Sequence, residues 1–206
     1  MAFVISRFFI ILLAAIFQLH LFRLKHMSNS WHELMQTLQF EGENASRNPS
    51  EEVIAVFEQE HKITLSSDYK EFCELFGSGC FGNTLDIYCP GNSQLLLGQE
   101  RLQLIINNIR EFSSGDAQLD DEKIDLLSNG FWIGIDSSGY CLICDLGTYC
   151  DEDSSYDLYW VQEDCPESES LECNVYYAGR SFFELFRDFC NGLRINPCLK
   201  PSYFRY

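Results

Sequence analysis

Two apolar runs in the second half of the chain, residues 131–135 (Phe131-Trp132-Ile133-Gly134-Ile135) and residues 140–146, are separated by Asp136-Ser137-Ser138-Gly139. Strand-like runs on either side of a short polar turn that ends in glycine pair antiparallel, so the middle of the chain reads as a β-hairpin. Residues 156–162 read as a third strand after an acidic loop, and residues 174–178 as a short further one. Segments with helical spacing lie mainly before and after this block, with no repeated βαβ pattern. That order predicts an α+β fold, an antiparallel sheet with helices packed against it. At 206 residues the chain is long enough for one domain with a sizeable core.

The helical segments carry start and stop signals. Asn48 is the expected cap of a first helix, with Pro49 at its first position and Glu51 completing a capping box. Val53, Phe57 and His61 share one face of it, with Ile54 and Val56 beside them. Asp68 is the expected cap of a second helix, whose buried stripe is Tyr69, Phe72, Cys73 and Phe76 and whose stop is Gly77. Residues 84–88 read as a strand ending at Pro90-Gly91, and Leu95-Leu96-Leu97 as a second short strand. Leu102, Ile105, Ile106 and Ile109 restore helical spacing over residues 100–112, and residues 113–128 read as a loop or partial helix. The last helix begins at Ser181 with Glu184 three residues on, and buries Phe182, Leu185, Phe186, Phe189 and Leu193. Ahead of all these, Trp31, Leu34, Met35 and Leu38 form a short amphipathic segment, followed by a polar linker.

Several of these residues also stand in a recognisable order. Ile54-Ala55-Val56-Phe57-Glu58, Leu65-Ser66, Asp68-Tyr69-Lys70-Glu71-Phe72 and the glycine-rich Gly77-Ser78-Gly79-Cys80-Phe81 resemble the start of a SUKH-superfamily (Smi/Knr-type) domain. Ser66 stands where that family commonly has proline, and Gly77-Ser78 where it has Asn-Gly. The resemblance continues through residues 131–136, Gly139, residues 141–146 and 156–161, and through Ala178-Gly179-Arg180-Ser181-Phe182 with the helix that follows. It implies a SUKH-like domain over residues 48–192, preceded by an N-terminal helix and linker at 27–47 and followed by a tail at 193–206. It also implies a binding protein rather than an enzyme. Members of the family serve as immunity proteins that neutralise a toxin, and fungal relatives regulate cell-wall synthesis.

Residues 1–26 differ from the rest. Residues 8–17 are uninterruptedly apolar, flanked by Arg7 and by Arg23, Lys25 and His26. Three readings stay open: a start at Met27, a membrane anchor over residues 3–22, marginal against the roughly 20 residues of a full span, and a cleaved signal without a clear cleavage site. Of the ten cysteines, Cys73, Cys141 and Cys190 sit at apolar positions of expected elements, where cysteine behaves as a small buried hydrophobe. Reduced cysteines in a cytoplasmic protein are therefore expected, with a membrane-anchored protein as the alternative.

The formal net charge of −17 argues against nucleic acid or an anionic membrane surface as a partner of the main domain. The imbalance is concentrated: between Glu111 and Glu172 there are 17 acidic residues and one basic, Lys123. A solvated acidic surface accounts for this, and so does a patch that attracts a cationic partner. The expected partner-binding residues are Asp151, Glu152, Asp153, Asp157, Tyr159, Trp160, Glu163 and Asp164, with Tyr149 and Tyr156 as further aromatic anchors. A protein partner is expected, and the family resemblance together with this acidity implies a basic toxin domain.

Catalytic and metal readings find little. Cys141-x-x-Cys144 lies in an expected strand, where residues three apart point to opposite faces, and no second C-x-x-C accompanies it. Asp151-x-Asp153-x-Ser155-x-Asp157 spaces oxygens like a calcium loop but has Tyr156 and Gln162 where glycine and glutamate are needed. His20, His26, His32 and His61 all precede the sheet, and no nucleophile elbow or phosphate loop is present. No catalytic residue, metal or cofactor is expected.

Overall fold

A computed structural model of the chain describes residues 30–38, 48–111, 117–162 and 174–193. The chain divides into two compact units, Met1–Leu38 and Gln39–Tyr206. In the first, helix α1 (Trp31–Thr37) is capped by Ser30, whose hydroxyl accepts from the Glu33 N–H. The apolar residues 3–22, the linker over residues 41–47 and the tail over residues 194–206 lie outside the described residues. Among the described residues no helix is long and apolar enough to cross a membrane.

The second unit is built on a six-stranded antiparallel sheet with the strands in sequence order. The strands are β1 (Gly79–Phe81), β2 (Leu85–Ile87), β3 (Gly130–Asp136), β4 (Tyr140–Cys150), β5 (Ser155–Gln162) and β6 (Asn174–Gly179). Helices α2 (Glu51–His61) and α3 (Ser67–Leu75) precede the sheet, α4 (Ser93–Glu111) and α5 (Ala117–Asn129) lie between β2 and β3, and α6 (Phe182–Cys190) closes the unit. The expected α+β class holds. The expected hairpin is β3–β4, whose turn is closed by the Asp136 carboxylate accepting from the Ser138 and Tyr140 N–H groups at 2.8 and 2.9 Å.

The sheet has helices on both faces. Cys141 and Ile143 of β4 and Val161 of β5 pack with Leu102, Ile105, Ile106 and Ile109 of α4 and Leu127 of α5. The alternate residues face the other way. Phe131 meets Phe57 of α2 with ring centroids 6.1 Å apart, and the Tyr156 hydroxyl donates to the Thr64 carbonyl between α2 and α3. Cys141 and Cys144 thus lie on opposite faces, and both are buried. All seven described cysteines are free, with Cys190 only partly buried.

Of the expected caps, Ser181 caps α6, its hydroxyl accepting from the Glu184 N–H at 3.2 Å, while Asn48 and Asp68 have longer-range partners. Ser50, not Asn48, caps α2, its hydroxyl accepting from the Val53 N–H at 3.4 Å. Asn48 instead donates to the carbonyls of Glu74 and Leu75 at 2.8 and 2.9 Å, which closes the end of α3. That α3 end turns at Gly77, with φ +69°, where a side chain would strike Asn48. Asp68 does not cap its own helix. Its Oδ2 accepts from the Ser181 hydroxyl at 3.1 Å and the Phe183 N–H at 3.0 Å, so it holds the start of α6. The free N-terminus of α3 is met by the Ser154 carbonyl, which accepts from the Ser67 N–H at 3.1 Å.

The buried faces shift in detail. On α2 it is Ile54 and Phe57 that are buried, while Val53 and Val56 are exposed. Leu193 lies past the end of α6 and is exposed. The expected strand at Leu95–Leu97 is the first part of α4. Asn92 starts that helix, its side-chain oxygen accepting from the Gln94 N–H at 2.9 Å and its carbonyl from the Leu95 N–H at 3.1 Å. Leu95 is then buried in helical phase with Gly98, Leu102, Ile105 and Ile109, and Leu96 and Leu97 face outward. Of the loop or partial helix expected before β3, the structure shows the helix, α5.

Candidate protein-binding face

Strand alternation divides the expected anchors. Tyr156, Leu158 and Trp160 turn toward the α2 and α3 side and are buried, so Trp160 and Tyr156 are core residues, not surface anchors. Asp157, Tyr159 and Val161 turn toward the α4 and α5 side. Tyr159 is partly buried there against the cluster that includes Ile143 and Val161. Glu163 and Asp164 lie outside the described residues.

The β4–β5 connection carries the acidic tip. Asp151 and Glu152 are exposed and have no ion pair among the described residues. Asp153 is turned back into the chain: its Oδ1 accepts from the Ser155 N–H at 3.2 Å and from the Ser155 hydroxyl. Those bonds from Ser155, helped by the neighbouring Cys150 and Arg180, hold the Asp153 carboxyl below the usual range. Ser154 adopts φ +52° at the turn, which aims its carbonyl at the N-terminus of α3.

One residue outside the expected set organises this region. Arg180 follows β6 and reaches across the sheet end, donating to the Ser155 hydroxyl at 3.0 Å, the Thr148 carbonyl at 2.9 Å and Asp157 Oδ1 at 3.4 Å, with Asp153 Oδ2 at 4.0 Å. Asp153 and Asp157 therefore serve an internal arginine, and the calcium-loop spacing of oxygens is used by a guanidinium. A signal for Arg180 was present, since no Lys or Arg occurs between Lys123 and Arg180. The first cation after so long an acidic stretch is the natural counter-ion for it.

Tyr156 ties this hairpin to the α2–α3 link. Burial, then the neighbouring Cys144, Tyr149 and Glu58, push its phenol up to about 12. The fold therefore favours the neutral phenol over the unfolded chain, where tyrosine titrates near ~10. The stability contributed is whole below pH ~10 and is lost as the pH rises through about 12. Urea midpoints measured across that alkaline range are expected to fall in the native chain and to fall less in a Tyr156→Phe variant. Parallel declines in both would remove Tyr156 from the account.

The fold and site thus define an α+β domain that presents an acidic hairpin end. Compared with known proteins, the chain matches no family model, no curated relative and no solved structure.

Proposed function

We propose that this chain is a SUKH-type binding domain of the immunity kind, one that neutralises a basic toxin domain by engaging it with the acidic end of the β4–β5 hairpin. The observation that carries the reading is the preorganised tip. Asp151 and Glu152 are exposed and have no ion pair among the described residues, while Arg180 and the Ser67 N–H hold the hairpin beneath them. Ordering that precedes binding removes an entropic cost from association, and a one-signed patch speeds encounter with an oppositely charged surface. Residues that carry the family resemblance also support each other. Glu58 accepts from the Leu65 N–H at 2.7 Å and the Lys70 ammonium at 3.2 Å, and Tyr69 and Phe72 fill the core beside them.

The test is co-expression with a basic toxin domain encoded next to this chain. The wild-type chain is expected to restore growth, and a D151K/E152K variant to lose binding by about tenfold or more at low salt, with smaller loss at high salt. Unchanged affinity in the variant would count against the acidic tip. Failure of the wild-type chain to protect, with another partner retained, would favour a regulatory scaffold of the cell-wall type.

A further inference from the structure

Strand β1 pairs with β2 so that Gly79 stands opposite Ile87. Carried outward, that antiparallel register brings Cys89 level with Gly77, the turn that ends α3. Two hydrogen bonds fix the approach. The Ser78 hydroxyl accepts from the Cys89 N–H at 2.8 Å, and the Tyr69 hydroxyl donates to the Tyr88 carbonyl. Tyr69 and Cys73 lie one turn apart on the buried face of α3. Cys73 therefore sits between the two tethers, and the chain at Cys89 is held against it. Both cysteines are free and fully buried. The Tyr69 hydroxyl, the Cys73 thiol and the Cys89 thiol are joined side chain to side chain by hydrogen bonds.

Burial above all, then the bond with Cys89, pushes the Cys73 thiol well above its usual range. A buried thiol without thiolate character is a slow nucleophile, so the folded chain shields this pair from direct attack. In the unfolded chain both thiols meet solvent, and they come together as α3 docks on the β1–β2 hairpin. Cys141 and Cys144, the pair closest in sequence, have no such meeting, because they leave opposite faces of β4.

We infer that Cys73 and Cys89 close a disulfide when the chain folds in the presence of a low-molecular-weight disulfide such as glutathione disulfide. One cysteine thiolate attacks a sulfur of the oxidant, forms a mixed disulfide and expels one glutathione thiolate. The second cysteine thiolate then attacks the cysteine sulfur of that mixed disulfide and expels the other. The two thiol protons end on two glutathione molecules; the cysteine pair loses two electrons and the glutathione disulfide gains them. The loop so closed runs from residue 73 to residue 89 and holds β1, β2 and the left-handed turn at Gly82 and Asn83. It ties the sheet edge at β1, only three residues long, to the helix behind it. A cross-link over such a loop stabilises chiefly by restricting the unfolded chain. Without an oxidant the aromatic contacts of Phe81 with Phe72 and Phe186 hold the same edge, so the reduced chain folds as well.

The experiment is refolding of the full chain from urea in a glutathione–glutathione disulfide buffer and, in parallel, in a reducing buffer, followed by alkylation of free thiols and peptide mapping without reduction. The oxidised sample is expected to yield a Cys73–Cys89 linked peptide as its dominant disulfide. Its urea midpoint is expected to exceed that of the reduced sample by about 1 M, and a reductant is expected to abolish the difference. Cys89→Ala is expected to leave Cys73 open to alkylation after unfolding and to erase the midpoint difference, and Cys80→Ala to change neither result. The peptide map needs no variant, so it stands even where Cys89→Ala folds poorly. Alkylation of both Cys73 and Cys89 after oxidative refolding, a different dominant pairing, or an oxidised chain no more stable than the reduced one would overturn the inference.

Discussion

Phe72→Ala is expected to lower the stability of the domain by about 3–5 kcal/mol, the range for removing a buried aromatic ring. Phe72 is fully buried. Its ring meets those of Tyr69, Phe76, Phe81, Phe182 and Phe186 at centroid distances of 6.5, 5.2, 5.5, 5.1 and 5.0 Å. It therefore joins α3, β1 and α6, elements that have no local reason to stay together. The cavity left by alanine would collapse poorly, because its walls are pinned from outside. Tyr69 donates to the Tyr88 carbonyl, and Phe182 follows Ser181, which Asp68 holds. A loss of that size is a large part of the 5–15 kcal/mol typical of a whole domain. In urea denaturation the midpoint is expected to drop with little change in slope. Val56→Ala, on an exposed face of α2, is expected to stay within about 0.5 kcal/mol of the native chain. Similar midpoints for the two variants would refute the central place given to this aromatic cluster.

Much of this cluster was legible from spacing. Tyr69, Phe72 and Cys73 fall on one helical stripe, and Phe182, Leu185, Phe186 and Phe189 on another, and both stripes are buried. The hairpin of β3 and β4 was legible for the same reason, since the polar turn interrupts two apolar runs. Short segments were harder to read. Gly79–Phe81 is too brief to show a period, and it becomes β1 only by pairing with β2. Leu95-Leu96-Leu97 shows no period alone; its phase is set by Leu102 and Ile105 downstream, and its start by the Asn92 side chain. Asn48 and Asp68 have the composition of helix caps, but their partners are distant in sequence and belong to tertiary structure. No local rule reports such a choice.

The acidic face divides in the same way. Asp151 and Glu152 were legible as exposed acids because they lie in an acidic loop between two expected strands. Tyr159 and Trp160 are adjacent on a strand and cannot share a face, so at most one of them was available as an anchor. The ladder decides which: Trp160 joins Leu158 in the core, and Tyr159 faces Tyr177. The pairing of Asp145 with Asp157 was hidden, because it depends on the register of β4 against β5 and on the irregularity that follows Asp145. Arg180 was hidden by position, one residue before a helix cap, although the acidic stretch before it called for a cation.

The second large effect reverses the sign that helix propensity gives. Gly98 lies inside the 19-residue helix α4. Glycine in a helix interior is less favourable than alanine by roughly 0.5–1 kcal/mol, so propensity alone makes Gly98→Ala a stabilising change. The packing argues otherwise. A Cβ at position 98 would lie 2.2, 2.3 and 2.5 Å from Cγ, Cδ1 and Cδ2 of Trp132. Trp132 is buried between α4 and β3, with the Arg101 guanidinium 5.7 Å from its ring centroid, so the indole has little room to move. The alternative is to lift α4 from the sheet, which would loosen Leu102, Ile105 and Ile109 together. Overpacking of this kind costs about 1–3 kcal/mol, more than the propensity gain. Gly98→Ala is therefore expected to lower the urea midpoint. In a Trp132→Ala background, where the obstructing ring is gone, the same substitution is expected to raise it, because only the propensity term of about 0.5–1 kcal/mol remains. A stabilising effect of Gly98→Ala in the native background would show that α4 does not approach β3 as closely as the glycine allows.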